Sequence, residues 1–598
     1  MTEAADPGPV DGPVRRGSPA PCRAACPVGT DAAAYVALIA EGRLAEAYDV
    51  ARRPNPFASI CGRVCAAPCE GACRRAVLDS PISIRALKRV LSRAHGVEAG
   101  LAARWQRAVG ELPAARAPSV GVVGAGPAGL SAAHDLRLAG HPVTVYEREA
   151  EPGGMLVQGI PPFRLPRTLI GQELQAIVDV GITLRVRCEV GVDVALGELL
   201  AEHEAVLITV GCVQGRLLET PGVELPGVLR AVDFLRRANA VATGRALPLE
   251  GPVVVIGGGS VAFDAARSAW RLQGAQGGHG QTMLDAARTV ARTGRGSPTT
   301  TGSVTLIAPE GRDELPVPPE ELAQAEQEGV RVRGRLGVRR VVGTTAVAGV
   351  EVAPVTALYD DAGRFAPRLD DERTETLPAR SVVLAIGQRS DTGFLDDLEV
   401  LKPTAWGGVA ADPFGGTADP RIFAAGDVAT GPRDLIAAIA AGQRAASAIV
   451  HRLGGEGRDA PPPPRAIVPP PVAIAPPRHA PRRFWSGYDV IPRARLPVRP
   501  PGQRTPGTAV ERPLGPAAAR DEGSRCLRCD EHLQLARGRC IACGLCADVC
   551  PYGCLALRPG PGGVTLTMDD SVCIRCDLCT HRCPNAALAF VVAPAPAR

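Results

Sequence analysis

The sequence predicts a multidomain α/β chain. Two nested, doubly wound domains lie between a helical N-terminal segment and a small α+β module near the C-terminus. Three observations predict this. Residues 117–453 alternate short apolar strands with helices, the pattern that builds a parallel sheet covered on both faces. Two glycine-rich loops, Gly124-Ala-Gly126-Pro127-Ala-Gly129 and Gly257-Gly-Gly259-Ser260-Val-Ala262, each follow a strand and open a helix. All but Cys188 and Cys212 of the 19 cysteines fall outside that central region, towards the two ends.

In chain order, residues 1–20 are rich in Pro, Gly and acidic side chains, and they are expected to be disordered. They hold no apolar stretch, so no export signal is expected. No run of 18 apolar residues follows anywhere, so membrane insertion is not expected. Residues 21–115 form a helical segment carrying Cys22, Cys26, Cys61, Cys65, Cys69 and Cys73, with helix predicted over 31–52. The first dinucleotide domain takes 116–225 and resumes at 376–453, with the second domain nested at 226–375. Residues 274–302 are a low-complexity surface excursion between a helix and the strand at 304–308. A Pro-rich linker spans 454–520, and the C-terminal module takes 521–598.

Cysteine density in short spacings, without an export signal, points to bound metal in a reducing cytoplasm rather than to disulfides. The net charge of +5 is carried almost wholly by arginine, since lysine occurs only at Lys88 and Lys402. No nucleic-acid-binding motif accompanies that charge, so a solvated surface is the better reading of it.

The C-terminal module repeats one word. Cys540, Cys543, Cys546 and Cys550 precede Pro551, and Cys573, Cys576, Cys579 and Cys583 precede Pro584. Both runs read C-x2-C-x2-C-x3-C-P, the ligand spacing of a bacterial two-cluster ferredoxin, in which the fourth cysteine of each run serves the other cluster. One [4Fe-4S] cluster would take Cys540, Cys543, Cys546 and Cys583, and the other Cys573, Cys576, Cys579 and Cys550. Zinc sites favour paired C-x2-C units across a long gap, and disulfides show no such repeat. Cys554 falls where the second repeat has Ala587, and reads as a small core residue.

In the first glycine loop, Gly124 permits the tight turn, Gly126 lets the backbone approach a pyrophosphate, and Gly129 lets helix and strand pack closely. Pro127 opens the helix, whose N-terminus presents N–H groups to the diphosphate. Glu147, at the end of the next strand, is placed to accept from ribose hydroxyls. The segment Glu151-Pro-Gly153-Gly154-Met155 extends the FAD form of this motif. A late segment, Ala424-Ala-Gly426-Asp427, resembles the flavoprotein stretch in which an aspartate meets the ribityl and pyrophosphate region of FAD, although Asp427 could also be a helix N-cap. The second loop, Gly257, Gly259, Ser260 and Ala262, is G-x-G-x-x-A and implies a nicotinamide nucleotide facing the flavin. Glu310 after its second strand favours the free 2′-hydroxyl of NAD, and Arg312 favours the 2′-phosphate of NADP. From sequence, NADH and NADPH remain equal alternatives.

These residues resemble the small (β) subunit of bacterial glutamate synthase and its relatives, including the N-terminal part of dihydropyrimidine dehydrogenase. The words that carry the resemblance are Cys22-x3-Cys26-Pro27, Asn55-Pro56-Phe57, Cys61-Gly-Arg-Val-Cys65, Cys69-Glu-Gly-Ala-Cys73, Gly159-Ile-Pro161, Phe163-Arg-Leu-Pro166 and the two glycine loops. They span 21–453. The resemblance implies two [4Fe-4S] clusters in the N-terminal domain, FAD, and NAD(P)H as donor. Three departures stand out. Pro309 and Glu310 occupy the place of the family's paired arginine. The family's opening R-C-x2-C is absent before Cys22, while Arg525-Cys526-Leu-Arg-Cys529 carries that word near the C-terminus. Lys88 stands where some relatives ligate iron with Gln or Glu, and a protonated amine cannot.

Cys526 and Cys529 are therefore expected to fold back and complete a cluster with Cys22 and Cys73. Cys26, Cys65 and Cys69 then need a fourth ligand, and Cys61 is the nearest spare. The function expected is electron transfer from NAD(P)H through FAD and [4Fe-4S] clusters to a ferredoxin or a larger reductase. The alternative is delivery to a glutamine-using glutamate synthase large subunit. No side chain is assigned acid–base catalysis, because hydride and electron transfer belong to the cofactors. Cys188 and Cys212 are isolated, which disfavours disulfide-reductase chemistry.

Overall fold

A glycine breaks the first predicted helix. The stretch 31–52 forms two helices, Ala32–Ala40 and Leu44–Arg52, because Gly42 between them sits at φ +78°. The computed structural model describes residues 19–107, 112–114, 118–241, 249, 251–276, 304–370, 372–395, 401, 403–404, 406–454, 491–505, 507–560, 563–569 and 573–592. The disorder expected for 1–20 and the excursion expected at 274–302 therefore fall largely outside the described residues, as does most of the Pro-rich linker. The chain divides into two units: Met1–Glu111 with Pro461–Leu496 and Pro513–Arg598, and Leu112–Ala460 with Pro497–Arg512.

In the first unit, the helices Ala58–Val64 and Ile84–His95 meet backbone to backbone. A Cβ on Gly62 would lie 2.9 Å from the Cα of Arg89, so only glycine allows this approach. The helix Pro516–Ser524 packs on Ala32–Ala40, with Gly523 against the Ala40 backbone. This corrects the expected boundary at 520/521, since residues on both sides of it belong with the N-terminal helices. The physical reason is a buried ion pair. Glu522, fully buried, accepts from the N–H groups of Ser83 (2.8 Å) and Ala494 (2.6 Å) and from the Arg525 guanidinium (2.7 Å). Arg525 also reaches Asp79 (3.0 Å) and the Ser80 carbonyl (2.8 Å). A buried carboxylate and guanidinium persist only when such partners satisfy them, and here the partners come from distant parts of the sequence. The ferredoxin-like module completes the unit. Strand Glu531–Leu535 pairs antiparallel with Leu588–Val592, and Leu555–Gly560 pairs with Gly563–Met568.

The second unit contains two parallel sheets. The first runs Ile422–Ala424, Ala205–Ile208, Val120–Val123, Val143–Glu147, Thr183–Val186 in spatial order. Its strands Val120–Val123 and Ala205–Ile208 are buried along their whole length, as expected for parallel strands covered on both faces. The second runs Val228–Arg230, Ser381–Leu384, Val253–Ile256, Val304–Ile307, Arg331–Arg333. The expected return to the first domain at 376 is thus too early. Ser381–Leu384 is fully buried between two strands of the second sheet. The sequence obscured this because the antiparallel strands Leu336–Gly343, Val347–Tyr359, Phe365–Leu369 and Glu375–Pro378 intervene. The crossings between domains pair with each other, Gln214–Gly215 against Gln388–Arg389.

Candidate redox centres and dinucleotide sites

The ferredoxin-like module forms two cysteine-lined cavities. Cys540, Cys543, Cys546 and Cys583 line one, and Cys573, Cys576, Cys579 and Cys550 line the other. Each cavity draws its fourth cysteine from the other repeat, as the spacing predicts. Among the described residues, no three Cys, His, Asp or Glu donors converge on a point fit for a single ion. Sulfurs ringing a cavity suit a multi-iron cube better than a mononuclear zinc site, whose ligands sit about 2.3 Å from one atom. Ala542 and Arg575, each just before the second cysteine of its run, adopt left-handed φ of 54° and 55°. That backbone curls the chain so that successive sulfurs face inward. Cys554 is buried as expected, but its Sγ lies 3.0 Å from that of Cys550 and lines the same cavity, where it holds the Cys550 thiol down at about 5. Ala587 lines the other cavity, so both repeats use this position as cavity wall.

The same local geometry recurs at Cys526-Leu-Arg-Cys529. Arg528 has φ +47°, and its N–H points at the Cys526 sulfur at 3.5 Å. Cys526 and Cys529 line a cavity together with Cys22 and Cys73, walled by Ala32, Ala33, Val36, Ile82, Ile84 and Leu527. Burial, then the neighbouring thiols, pushes Cys22 well above the ordinary thiol range, and burial pushes Cys529 up to about 11. Metal binding here would have to displace protons, so its affinity would rise with pH. Cys26, Cys61, Cys65 and Cys69 form a second group, close enough that Cys26 and Cys65 both act on Cys69 and that Cys65 acts on buried Cys61. Arg74, directly after Cys73, donates to the carbonyl of Cys573 at 3.3 Å, so the N-terminal cavity adjoins the ferredoxin-like module.

In the first dinucleotide loop, Gly124 has φ +101°. A Cβ on Gly129 would lie 2.1 Å from the Gly124 carbonyl oxygen, so the turn and the helix Pro127–Leu138 exclude any side chain there. Gly126 faces open space, which leaves the helix N-terminus free to receive a diphosphate. Glu147 is buried, and it accepts from the N–H groups of Ala125 (2.8 Å) and Glu149 (2.9 Å). It therefore shapes the loop, a role not read from sequence. Gly154 abuts Gly126, and Gly426 abuts Ala128. The helix Leu435–Arg452 crosses Pro127–Leu138 at Gly442, whose added Cβ would lie 2.1 Å from the Ala128 carbonyl. This crossing brings Asp427 to the glycine loop. Its Oδ1 accepts from the Arg433 N–H at 3.1 Å, and burial pushes its carboxyl up to about 6. Cys212 contacts Ser390 (3.3 Å) and the Asp427 carbonyl (3.5 Å), the Cys188 N–H donates to the Glu147 carbonyl at 3.0 Å, and both cysteines are free among the described residues.

In the second loop, Ser260 opens the helix Ser260–Gln276, Ala262 is fully buried, and Gly259 faces open space. Gly257 approaches the Ala385 carbonyl. The two residues that opposed each other in sequence now separate. Glu310 Oε2 lies 2.8 Å from where a Cβ on Gly258 would stand, is itself buried and has no hydrogen-bond partner among the described residues. Arg312 is taken by Glu326, through contacts of 2.5 and 3.0 Å on the surface.

Fold and site together define an oxidoreductase that uses FAD, a nicotinamide nucleotide and [4Fe-4S] clusters. The chain belongs to the pyridine nucleotide-disulphide oxidoreductase family, whose profile matches residues 118–442. The profile for dihydropyrimidine dehydrogenase domain II with its 4Fe-4S cluster matches 16–98, and that for a 4Fe-4S dicluster domain matches 539–587. The chain is 36% identical to the NADP(+)-dependent formate dehydrogenase subunit beta of Moorella thermoacetica, over 72% of this chain and 59% of that one. It is 34% identical to the NAD-dependent dihydropyrimidine dehydrogenase subunit PreT of Escherichia coli O157:H7, over 73% of this chain and 92% of that one. It is 32% identical to the glutamate synthase [NADPH] small chain of Azospirillum brasilense, over 72% of this chain and 85% of that one. No helix among the described residues is long and apolar enough to cross a membrane.

Proposed function

We propose that this chain oxidises NADH and delivers the electrons singly to a ferredoxin or a larger partner reductase in the cytoplasm. The observation that carries the relay is the Arg74 contact with the Cys573 carbonyl, which sets the Cys22/Cys73/Cys526/Cys529 cavity against the ferredoxin-like module. When bound, FAD converts two-electron hydride chemistry into single-electron cluster chemistry. The chain's own residues bind and orient. The Gly124 loop and Glu147 would hold the flavin nucleotide, the Gly257 loop would hold the nicotinamide nucleotide, and the 16 clustered cysteines would hold four cubes. The ferredoxin-like module is the exit, because it is the part that adds two further clusters to a chain already carrying an N-terminal pair.

Glu310 supports NADH as donor. An unpartnered carboxylate at the strand end accepts from a free 2′-hydroxyl and repels a 2′-phosphate. Anaerobic assays with ferredoxin as acceptor test this. The expected kcat/KM for NADH exceeds that for NADPH by at least about tenfold, or ~1.4 kcal/mol. Glu310→Ser is expected to shrink that ratio towards one, mainly through KM. A preference for NADPH in the unaltered protein would sink the assignment. The relatives include a glutamate synthase small chain, so a glutamine-using partner is the second reading. Glutamine-dependent NADH oxidation on adding such a large chain, with no ferredoxin reduction, would favour it.

A further inference from the structure

Lys88 has no role in the cofactor sites so far, yet it is buried at 8% exposure beside one of them. Lysine is almost never buried without an anionic partner. No salt bridge among the described residues engages its ammonium. Glu70, the nearest carboxylate in the cysteine-bearing loop, is taken by the Arg85 N–H (2.8 Å) and by Arg493 (2.6 Å). The Tyr35 ring centroid lies 5.9 Å from its ammonium, and Cys61, Cys26, Cys65 and Cys69 are close enough to act on its charge.

The placement is built in rather than incidental. The helix Ile84–His95 carries Lys88, and it touches the Cys61 helix through Gly62, where a Cβ would lie 2.9 Å from Arg89. Tyr35 closes the other side, its hydroxyl donating to the Ile84 carbonyl at 3.3 Å. Two packed helices and a tyrosine thus fix Lys88 beside the helix that carries Cys61.

We propose that Lys88 is a fixed countercharge for a cluster held by Cys26, Cys61, Cys65 and Cys69, and that it raises that cluster's reduction potential. The proposal rests on the reading that these cysteines bind a [4Fe-4S] cube. A cube on four thiolates carries net negative charge, and that charge grows by one on reduction. Cluster potential follows net charge and nearby charge. A buried cation therefore stabilises the reduced form more than the oxidised form. The lysine does not ligate, since a protonated amine has no lone pair to give; it acts through the sulfurs as a positioning charge. Cys61 supplies the fourth sulfur instead.

The test is an EPR-monitored redox titration of the full chain with all cofactors loaded. Lys88→Met is expected to weaken the electron affinity of one cluster by at least about tenfold, which is 59 mV for a one-electron couple. Iron content, FAD content and the other signals should not change. Unchanged potentials with full iron overturn the proposal. Where methionine prevents assembly, Lys88→Arg decides. Full iron and an unshifted potential with arginine support a charge role, whereas loss of iron with arginine as well makes Lys88 a packing residue and overturns it. Cys61→Ser separates the two layers. Full iron and four unaltered signals in that variant remove Cys61 from the ligand set, while the Lys88 shift is still read independently.

Discussion

Replacing Cys526 and Cys529 together by serine is expected to lower iron and acid-labile sulfide by about a quarter, the loss of one [4Fe-4S] cluster in four. FAD content and NADH-driven flavin bleaching should persist, because the dinucleotide loops lie in the other unit. Electron delivery to ferredoxin should fall by at least about a hundredfold, or ~2.7 kcal/mol in barrier terms, since the variant interrupts the relay at the cavity that adjoins Cys573. Iron analysis with EPR checks the first part, and a ferredoxin-reduction assay the second. An unchanged iron count would remove these cysteines from the ligand set. The expectation rests on three agreeing observations. Cys526 and Cys529 share a cavity with Cys22 and Cys73. Arg528 takes the left-handed conformation seen at Ala542 and Arg575 in the ferredoxin loops. The Arg525–Glu522 pair anchors the segment among the N-terminal helices.

The second large effect is on stability. Glu328 lies at the centre of three buried guanidinium groups: Arg267 at 2.9 Å, Arg271 at 2.8 Å and Arg504 at 2.9 Å, with every side chain no more than 4% exposed. Arg267 and Arg271 stack on Phe163, with guanidinium carbons 4.8 and 3.8 Å from the ring centroid, and the Phe163 carbonyl accepts from the Val510 N–H at 3.0 Å. One carboxylate thereby ties the second dinucleotide domain to Phe163 of the first and to the segment Pro497–Arg512. Glu328→Ala would leave three cations buried against one another, and breaking a buried pair costs roughly 3–5 kcal/mol. Arg504→Ala should cost less, because two arginines remain to match Glu328. Denaturation of the two variants, followed by flavin release, should rank them in that order; equal midpoints would show the cluster is not cooperative. Burial alone would raise the Glu328 carboxyl, but Arg271 and Arg267 overcome this and hold it below the usual range. Its contribution is therefore complete above the unfolded carboxyl value of about 4.3, and it is lost as pH falls through the lower folded value.

Much of the site was legible in the chain because its information is local. The cysteine spacing defines which sulfurs can curl round one cube, and the glycine loops define where backbone must approach a phosphate. Strand, loop and helix stand in register at both Gly124 and Gly257, so the dinucleotide sites needed no tertiary knowledge. The family word R-C-x2-C also survived displacement to the far end of the chain, which is why the sequence pairs Cys526 and Cys529 with Cys22 and Cys73, the cysteines whose cavity they share.

What escaped the sequence depended on distant partners. Glu310 and Arg312 are two residues apart and opposed each other on paper; in the fold Arg312 pairs with Glu326 on the surface, while the Glu310 Oε2 is buried against Gly258. Ser381–Leu384 read as the return to the first domain until its pairing with Val228–Arg230 and Val253–Ile256 placed it inside the second sheet. Arg504 sits in a Pro-rich stretch that read as linker, and its burial depends on Glu328. Lys88 read as a ligand lost from its family position, and the packing of two helices buries it beside the Cys61 helix. Which chemistries the chain can hold is written locally, because ligand spacing and loop geometry are set within a few residues. Which charges meet emerges only on folding, because a buried charge takes its meaning from partners distant in the chain.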